Sequence, residues 1–186
     1  MSIFMQIAQV TDHLFLCSAS ALSEKRIKER GITCIINITM EVPNLRIKGV
    51  EALQINVDDV PHTNLAVYFD RCADKIKSVQ SKGGKTLVHC IAGVSRSATI
   101  CIAYMMKHYK MSLRDAFSHV KAKRPFIRPN VGFWKQLIEY EKKLKGKNSV
   151  KMVSSPIGWI PDVYSDEAKS MVWETTYNST FGKKKR

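Results

Sequence analysis

Cys90 stands six residues before Arg96 in the run Thr86-Leu87-Val88-His89-Cys90-Ile91-Ala92-Gly93-Val94-Ser95-Arg96-Ser97. The string H-C-x-x-G-x-x-R-S joins a thiol, a turn glycine, a guanidinium and a hydroxyl at set spacings. An isolated thiol, with a pKa near 8.5, is only about a few per cent thiolate at neutral pH. Helix N-termini and nearby cations bring thiol pKa values down to roughly 3.5–7.5. Here an apolar strand leads into a loop and the loop into a helix. Successive backbone N–H groups in such a loop make an anion nest, and the helix adds its positive dipole end. Gly93 supplies the backbone freedom for the turn. Arg96 can fold back over the loop, its planar fork matching two phosphate oxygens as a lysine cannot. The features that hold a phosphate dianion would therefore also activate the thiol beneath it. A cysteine at a strand end is, taken alone, usually a buried structural residue. The whole string instead nominates Cys90 as nucleophile, with Ile91, Ala92, Gly93, Val94, Ser95 and Arg96 binding phosphate. Such chemistry also needs a proton donor for the leaving oxygen, and Asp58 and Asp59 both lie at the end of a predicted strand.

The elements that must position these residues follow from the apolar pattern. Runs bounded by turn residues predict strands at about 7–10, 13–17, 33–38, 53–57 and 86–89. Leu65, Phe69, Cys72, Ile76 and Val79 form one helical stripe that ends near Gly83-Gly84. Further helices are predicted at about 97–109, at about 112–123 with Leu113, Ala116, Phe117 and Val120 inward, and after Pro129. The last buries Phe133, Trp134, Leu137, Ile138 and Leu144 and stops near Gly146. Strands alternating with helices imply an α/β domain, and in open α/β sheets ligands bind at the carboxyl ends of the strands. The domain spans residues 1–147. Residues 148–186 read as an extension, partly packed through Trp159 and Tyr164, with a disordered basic tip at residues 183–186.

The loop Ala92-Gly93-Val94-Ser95-Arg96-Ser97-Ala98 resembles that of cysteine-based protein tyrosine phosphatases, and the atypical dual-specificity phosphatases in particular. Upstream, Ile7-Ala8-Gln9-Val10 and His13-Leu14-Phe15-Leu16 resemble the family's opening strands. Downstream, Arg124-Pro125, Arg128-Pro129-Asn130 and Gly132-Phe133-Trp134 match its closing helices. Val150-Lys151-Met152-Val153 and Ile160-Pro161-Asp162-Val163-Tyr164 resemble the tail of a small vertebrate subgroup, that of the MAP-kinase-directed phosphatase 6. The resemblance implies a central, mixed, mostly parallel sheet of about five strands flanked by helices. It implies hydrolysis of phosphotyrosine and phosphoserine or phosphothreonine in proteins, with MAP kinases as plausible substrates and neither metal nor cofactor. The family places its general acid two residues before a proline, which selects Asp59 ahead of Val60-Pro61, with a turn role left to Asp58. Ser97 then either bonds the Cys90 sulfur or serves as a helix-start hydroxyl. His89 holds the loop through the backbone. Asn130 either braces the loop or simply caps a helix. Cys17 departs from the family, many members of which have glycine there.

Composition sets the frame. The 186 residues carry a net charge of +14. Residues 1–80 are neutral, residues 81–147 hold fifteen basic and three acidic residues, and the remainder adds a small excess. That concentration is expected to surround the loop and to favour anionic ligands; a solvated basic surface is the alternative. The five cysteines, Cys17, Cys34, Cys72, Cys90 and Cys101, lack any C-x-x-C spacing, which suits a reducing compartment. No basic-then-apolar leader opens the chain and no run is long enough for a membrane span, so cytoplasmic residence, with nuclear residence left open, is expected, without a stable membrane anchor. Asn37-Ile38-Thr39 and Asn178-Ser179-Thr180 are read as chance sequons. Gly84-Lys85-Thr86 lacks the earlier glycine of a nucleotide loop, Val79 standing there. The partners expected are phosphorylated proteins and not nucleic acid; a homodimer is left open. RNA 5′-phosphate, phosphoinositide or phosphoglycan substrates, and a non-catalytic phosphoprotein-binding module, are the rival readings.

Overall fold

The computed structural model describes residues 5–170. Its strands are β1 (Ala8–Gln9), β2 (Leu14–Ser18), β3 (Cys34–Asn37), β4 (Glu51–Gln54) and β5 (Thr86–Cys90), paired in the order β1-β2-β5-β3-β4. β1 is antiparallel to β2 and every other pairing is parallel, giving the mixed, mostly parallel sheet expected. β5 sits at the centre and is buried along its length, as a strand covered on both faces must be.

Side chains alternate across the sheet. Phe15, Cys17, Ile35 and Leu87 share one face with Ile27 of a short helix, α1 (Glu24–Glu29). The opposite face receives α3 (Arg96–His108), which packs on β2 and β5 and is buried from Arg96 through Met106. A helix buried on all sides belongs at the centre of a core. Around it lie α2 (Phe69–Ser81), α4 (Leu113–Lys123) and α5 (Val131–Lys145). The α2 stripe predicted from Leu65 to Val79 is buried throughout. Ser112 caps α4 by accepting from the Asp115 N–H, and Gly146 ends α5 in the left-handed conformation at φ 72°.

Several expectations need correction. The apolar run predicts a strand at 53–57, but β4 spans Glu51–Gln54 and its ladder ends there because its partner β3 ends at Asn37. Ile55 and Val57 remain buried beside exposed Asn56 and Asp58, so the alternation that suggests a strand continues past the ladder, where the Ile55 N–H still donates to the Asn37 carbonyl and the Val57 carbonyl is taken by Arg96. Leu144 is exposed, since the buried stripe of α5 ends at Tyr140 and Glu141. α1 was not foreseen: six residues with only Ile27 buried give too little periodicity. Asn37 is wholly buried, so its sequon is closed off in the folded chain.

The chain divides into two units, Met1–Ser149 and Val150–Arg186. The first holds the sheet and all five helices named. The second holds a hairpin, β6 (Met152–Ser155) with β7 (Gly158–Pro161), closed by the Asp162 N–H on the Lys151 carbonyl at 2.9 Å. Tyr164 is buried, but Trp159 is 63% exposed, because on β7 it is Ile160 that faces inward. The second sequon and the basic tip lie outside the described residues.

Candidate active site

All four parallel strands deliver their carboxyl ends to one edge of the sheet, and each contributes there. β5 ends in Cys90, which is 1% exposed. The loop after it turns every carbonyl outward onto a partner. The Cys90 carbonyl meets His89 Nδ1 at 3.4 Å, and the Ile91 carbonyl accepts from the Ala19 N–H, just past β2, at 3.0 Å. The Ala92 and Gly93 carbonyls accept from the Arg124 guanidinium, and the Val94 carbonyl accepts from the Arg128 N–H at 2.8 Å. The Ser95 carbonyl accepts from the Thr99 N–H and hydroxyl. In a trans peptide the C=O and N–H point opposite ways, so the amides of residues 91–96 face the other side. None of the six has a hydrogen-bond partner among the described residues. Ser95, at the N-cap of α3, does not cap the helix; its hydroxyl donates instead to Asp59. The helix start is thus left open toward the loop, where orphan amides and dipole favour an anion.

Ser97 donates to the Cys90 sulfur at 3.1 Å. Arg96 is 3% exposed, and its Nη1 donates to Glu41 at 2.7 Å and to the Val57 carbonyl at 2.9 Å. Its Nε is buried without a hydrogen bond among the described residues and forms an ion pair with Asp59 Oδ2 at 3.7 Å. Burial works against the Arg96 charge, but the Glu41 hydrogen bond and the fields of Cys90, Glu41 and Asp59 outweigh it and raise the pKa. The guanidinium is thus pinned by one nitrogen, with its Nε edge free of hydrogen bonds among the described residues and able to meet an oxyanion.

Glu41 escaped the sequence reading. It follows β3, in a loop braced by polar bonds: Asn37 Nδ2 donates to the Val42 carbonyl at 2.9 Å, Thr39 Oγ1 to Asn37 Oδ1 at 2.8 Å, and Gln54 Nε2 to the Thr39 carbonyl at 3.0 Å. The side chains of the apparent sequon therefore hold Glu41 in place. The Arg96 hydrogen bond keeps the Glu41 carboxyl below its ordinary pKa. Its one advance signal was position, at the carboxyl end of a parallel strand.

Asp59 lies past β4, its side chain 33% exposed. Oδ1 accepts from Ser95 Oγ at 2.7 Å and from Asn130 Nδ2 at 2.9 Å, while Oδ2 lies on the Arg96 side. Asn130 fills both roles left open for it. Its Oδ1 caps α5 by accepting from the Phe133 N–H, its amide reaches Asp59, and its backbone N–H donates to Ser95 Oγ. A Cβ on Gly132 would fall on the Pro61 carbonyl, so only glycine lets the start of α5 meet the segment carrying Asp59. Asp58 is exposed. His89 is fully buried, and burial drives its pKa to about 4. It is therefore neutral at pH 7, with Nδ1 facing the Cys90 carbonyl.

The other thiols differ in setting. Burial pushes Cys17 and Cys72 up to about 12 and Cys34 to about 11, and raises Cys101 as well. All five cysteines are free. Some basic residues of the 81–147 segment are paired with carboxylates. Lys107 and Lys143 bind Asp70, and Lys107 also binds Asp74. Lys107 is eleven residues along α3 from Arg96, about 16 Å at 1.5 Å per residue.

A concave set of six amides, a buried thiol receiving a hydroxyl, a pinned guanidinium and an oriented carboxyl can hold a tetrahedral oxyanion against a nucleophile beside a proton donor. Comparison with known proteins agrees. Residues 14–143 match the model of the dual specificity phosphatase catalytic domain. The chain is 54% identical over 167 residues to mouse dual specificity protein phosphatase 14, covering 89% of this chain and 84% of that one. Human dual specificity protein phosphatase 18 is 47% identical over 167 residues, 89% of each chain. Among solved structures, human DUSP28 superposes with a TM-score of 0.73 at 36% identity, over 75% of this chain and 95% of that one. With that match spanning the loop, the segment carrying Asp59 and the closing helices, this chain belongs to the dual specificity protein phosphatases, in the group of small atypical members.

Proposed function

We propose that this phosphatase works through a phosphocysteine intermediate on Cys90. The observation that carries the reading is the set of six amides, of residues 91–96, that have no hydrogen-bond partner among the described residues, each turned toward the concave side by an anchored carbonyl. Cys90 Sγ attacks phosphorus in line, the S–P bond forming as the P–O bond breaks. The amides of residues 91–96 and the Nε edge of Arg96 take up equatorial charge, where preorganised donors act without rearranging. Asp59 gives the proton on Oδ2 to the leaving oxygen, Oδ1 being held by Ser95 and Asn130. In the second step Asp59 takes a proton from water, which attacks phosphorus. The S–P bond breaks and the thiolate returns, aided by the Ser97 hydroxyl.

Phosphotyrosine and phosphothreonine proteins are the substrates in this reading, with MAP kinases among them. Similarity to small vertebrate relatives supports the first, and the resemblance of the tail to a MAP-kinase-directed subgroup supports the second. Five free thiols fit residence in the reducing cytosol or nucleus. The test is a substrate panel at physiological salt: phosphotyrosine and phosphothreonine peptides and a doubly phosphorylated MAP kinase, beside RNA 5′-phosphate and a phosphoinositide. Phosphopeptide and kinase turnover, abolished in Cys90→Ser, is expected. Turnover confined to the RNA or lipid would overturn the substrate assignment, and normal turnover by Cys90→Ser would overturn the mechanism.

A further inference from the structure

Arg124 is 1% exposed, and it is a cation in the interior with no carboxylate among its contacts in the described residues. An ionised group taken out of water costs several kcal/mol unless it is paired or fully hydrogen-bonded, and a guanidinium does not escape by losing its proton. Its polar contacts are three carbonyls. Nε donates to Gly93 at 2.7 Å, Nη2 to Ala92 at 3.1 Å and Nη1 to Gln6 at 2.9 Å. The Phe126 ring lies 4.3 Å from its central carbon and fixes its plane. Two of the three carbonyls belong to the loop that curls around Cys90.

We propose that Arg124 is the positioning residue of the phosphate loop, orienting the Gly93 and Val94 amides toward the phosphoryl group and supplying a buried positive charge whose counter-ion is the substrate. This rests on the reading that the loop receives that group. Holding the Ala92 carbonyl outward forces the Gly93 N–H inward, and holding the Gly93 carbonyl outward does the same for Val94. One side chain therefore sets two of the six amides. The local sequence is shaped around it. Gly93 has φ +67°, and a Cβ there would lie 2.8 Å from Arg124 Nη2 and 2.5 Å from the Cys17 carbonyl. The missing methyl leaves the room that the guanidinium uses. Arg124 is also the C-cap of α4, and the chain returns at once so that the Arg128 N–H takes the Val94 carbonyl. The turn at residues 124–128 thus grips three successive loop carbonyls. A lysine could reach one carbonyl but has no fork for two.

The experiment is titration with orthovanadate, an oxyanion that mimics the transferred group, read by inhibition and by amide nitrogen–proton NMR. In the wild-type chain the Gly93 and Val94 amides and the Arg124 Nε–H are expected to shift together on binding. Arg124→Lys and Arg124→Met are expected to weaken orthovanadate roughly 10- to 100-fold, the range for hydrogen bonds to charged groups. Their Gly93 and Val94 shifts should vanish while those of Ile91 and Ala92 persist. Arg114→Met, which removes an exposed arginine bonded to the Ser149 carbonyl, should leave affinity unchanged. A folded Arg124→Lys with wild-type affinity overturns the proposal. Should neither variant fold, the wild-type spectra decide: binding without movement of the Gly93 and Val94 amides overturns it equally. A wild-type chain that does not bind orthovanadate would instead defeat the reading of the loop as a phosphoryl site.

Discussion

Glu41 and Arg96 show how far a site can extend beyond its motif. The Cys90-to-Arg96 string was readable because its parts lie on one continuous turn, where spacing dictates geometry. Glu41 is fifty-five residues away and enters only because β3 and β5 are neighbours. Asn130 was half legible: its cap role is local, whereas its bond to Asp59 spans seventy-one residues. Arg96 is nearly inaccessible while Glu41 is 44% exposed, so the pair is a buried cation held by a carboxylate at the rim. Truncating one side of such a contact costs more than a surface pair would. Glu41→Gln is expected to lower kcat/KM for an aryl phosphate about 10-fold, with weaker binding of inorganic phosphate. Steady-state kinetics with phosphate as inhibitor would check this; an unchanged or higher kcat/KM would mean that Glu41 does not orient Arg96.

The elements do their work through their ends. Strands β2, β3, β4 and β5 stop together, which gathers Ala19, Glu41, Val57 with Asp59, and Cys90 at one edge. Long periodic elements such as α2 and α5 were legible, since a helix that buries one stripe announces itself every third or fourth residue. Short elements were not: α1 buries only Ile27, and in the β6–β7 hairpin the exposed Trp159 and Ile157 blur the alternation. The end of β4 was misplaced because burial alternates on past its last partner. At the start of α5, Gly132 sets how closely the helix approaches Pro61. Gly132→Ala is expected to destabilise by about 1–3 kcal/mol through overpacking and to displace Asp59. Since general acids contribute about 10²–10⁴-fold, turnover of a substrate with a poor leaving group should fall steeply, and that of an activated aryl phosphate much less. Equal losses on both would show that the segment carrying Asp59 does not follow the helix.

Across the whole molecule, composition along the chain does not say which opposite charges fold alongside one another. Part of the basic excess is paired, with Lys107 and Lys143, joined by the Tyr140 hydroxyl, all bonded to Asp70 where α2, α3 and α5 meet. The Lys107 hydrogen bond leads in holding Asp70 at about 2, below its ordinary 3.8. That contribution is present above pH 3.8 and lost as the pH falls toward 2. His89 acts in an earlier window. Its folded pKa of about 4 lies below the ordinary 6.5, so the unfolded chain binds the proton more readily. Its contribution is therefore whole above pH 6.5 and lost as the pH falls toward 4, by roughly 3 kcal/mol at about 1.36 kcal/mol per pKa unit. Denaturation followed from pH 7 to 4 should show this loss, and His89→Gln should flatten it while leaving the steeper fall below pH 4; an unchanged slope in the variant would mean that His89 is protonated in the native state. The most direct test of the mechanism is rapid-quench mass spectrometry of the Asp59→Asn variant mixed with a phosphotyrosine peptide. A phosphoryl group on the peptide containing Cys90, absent when Cys90→Ser is added, is the expected result. Phosphate release with no phosphoenzyme at any time point, or an adduct on another residue, would contradict it.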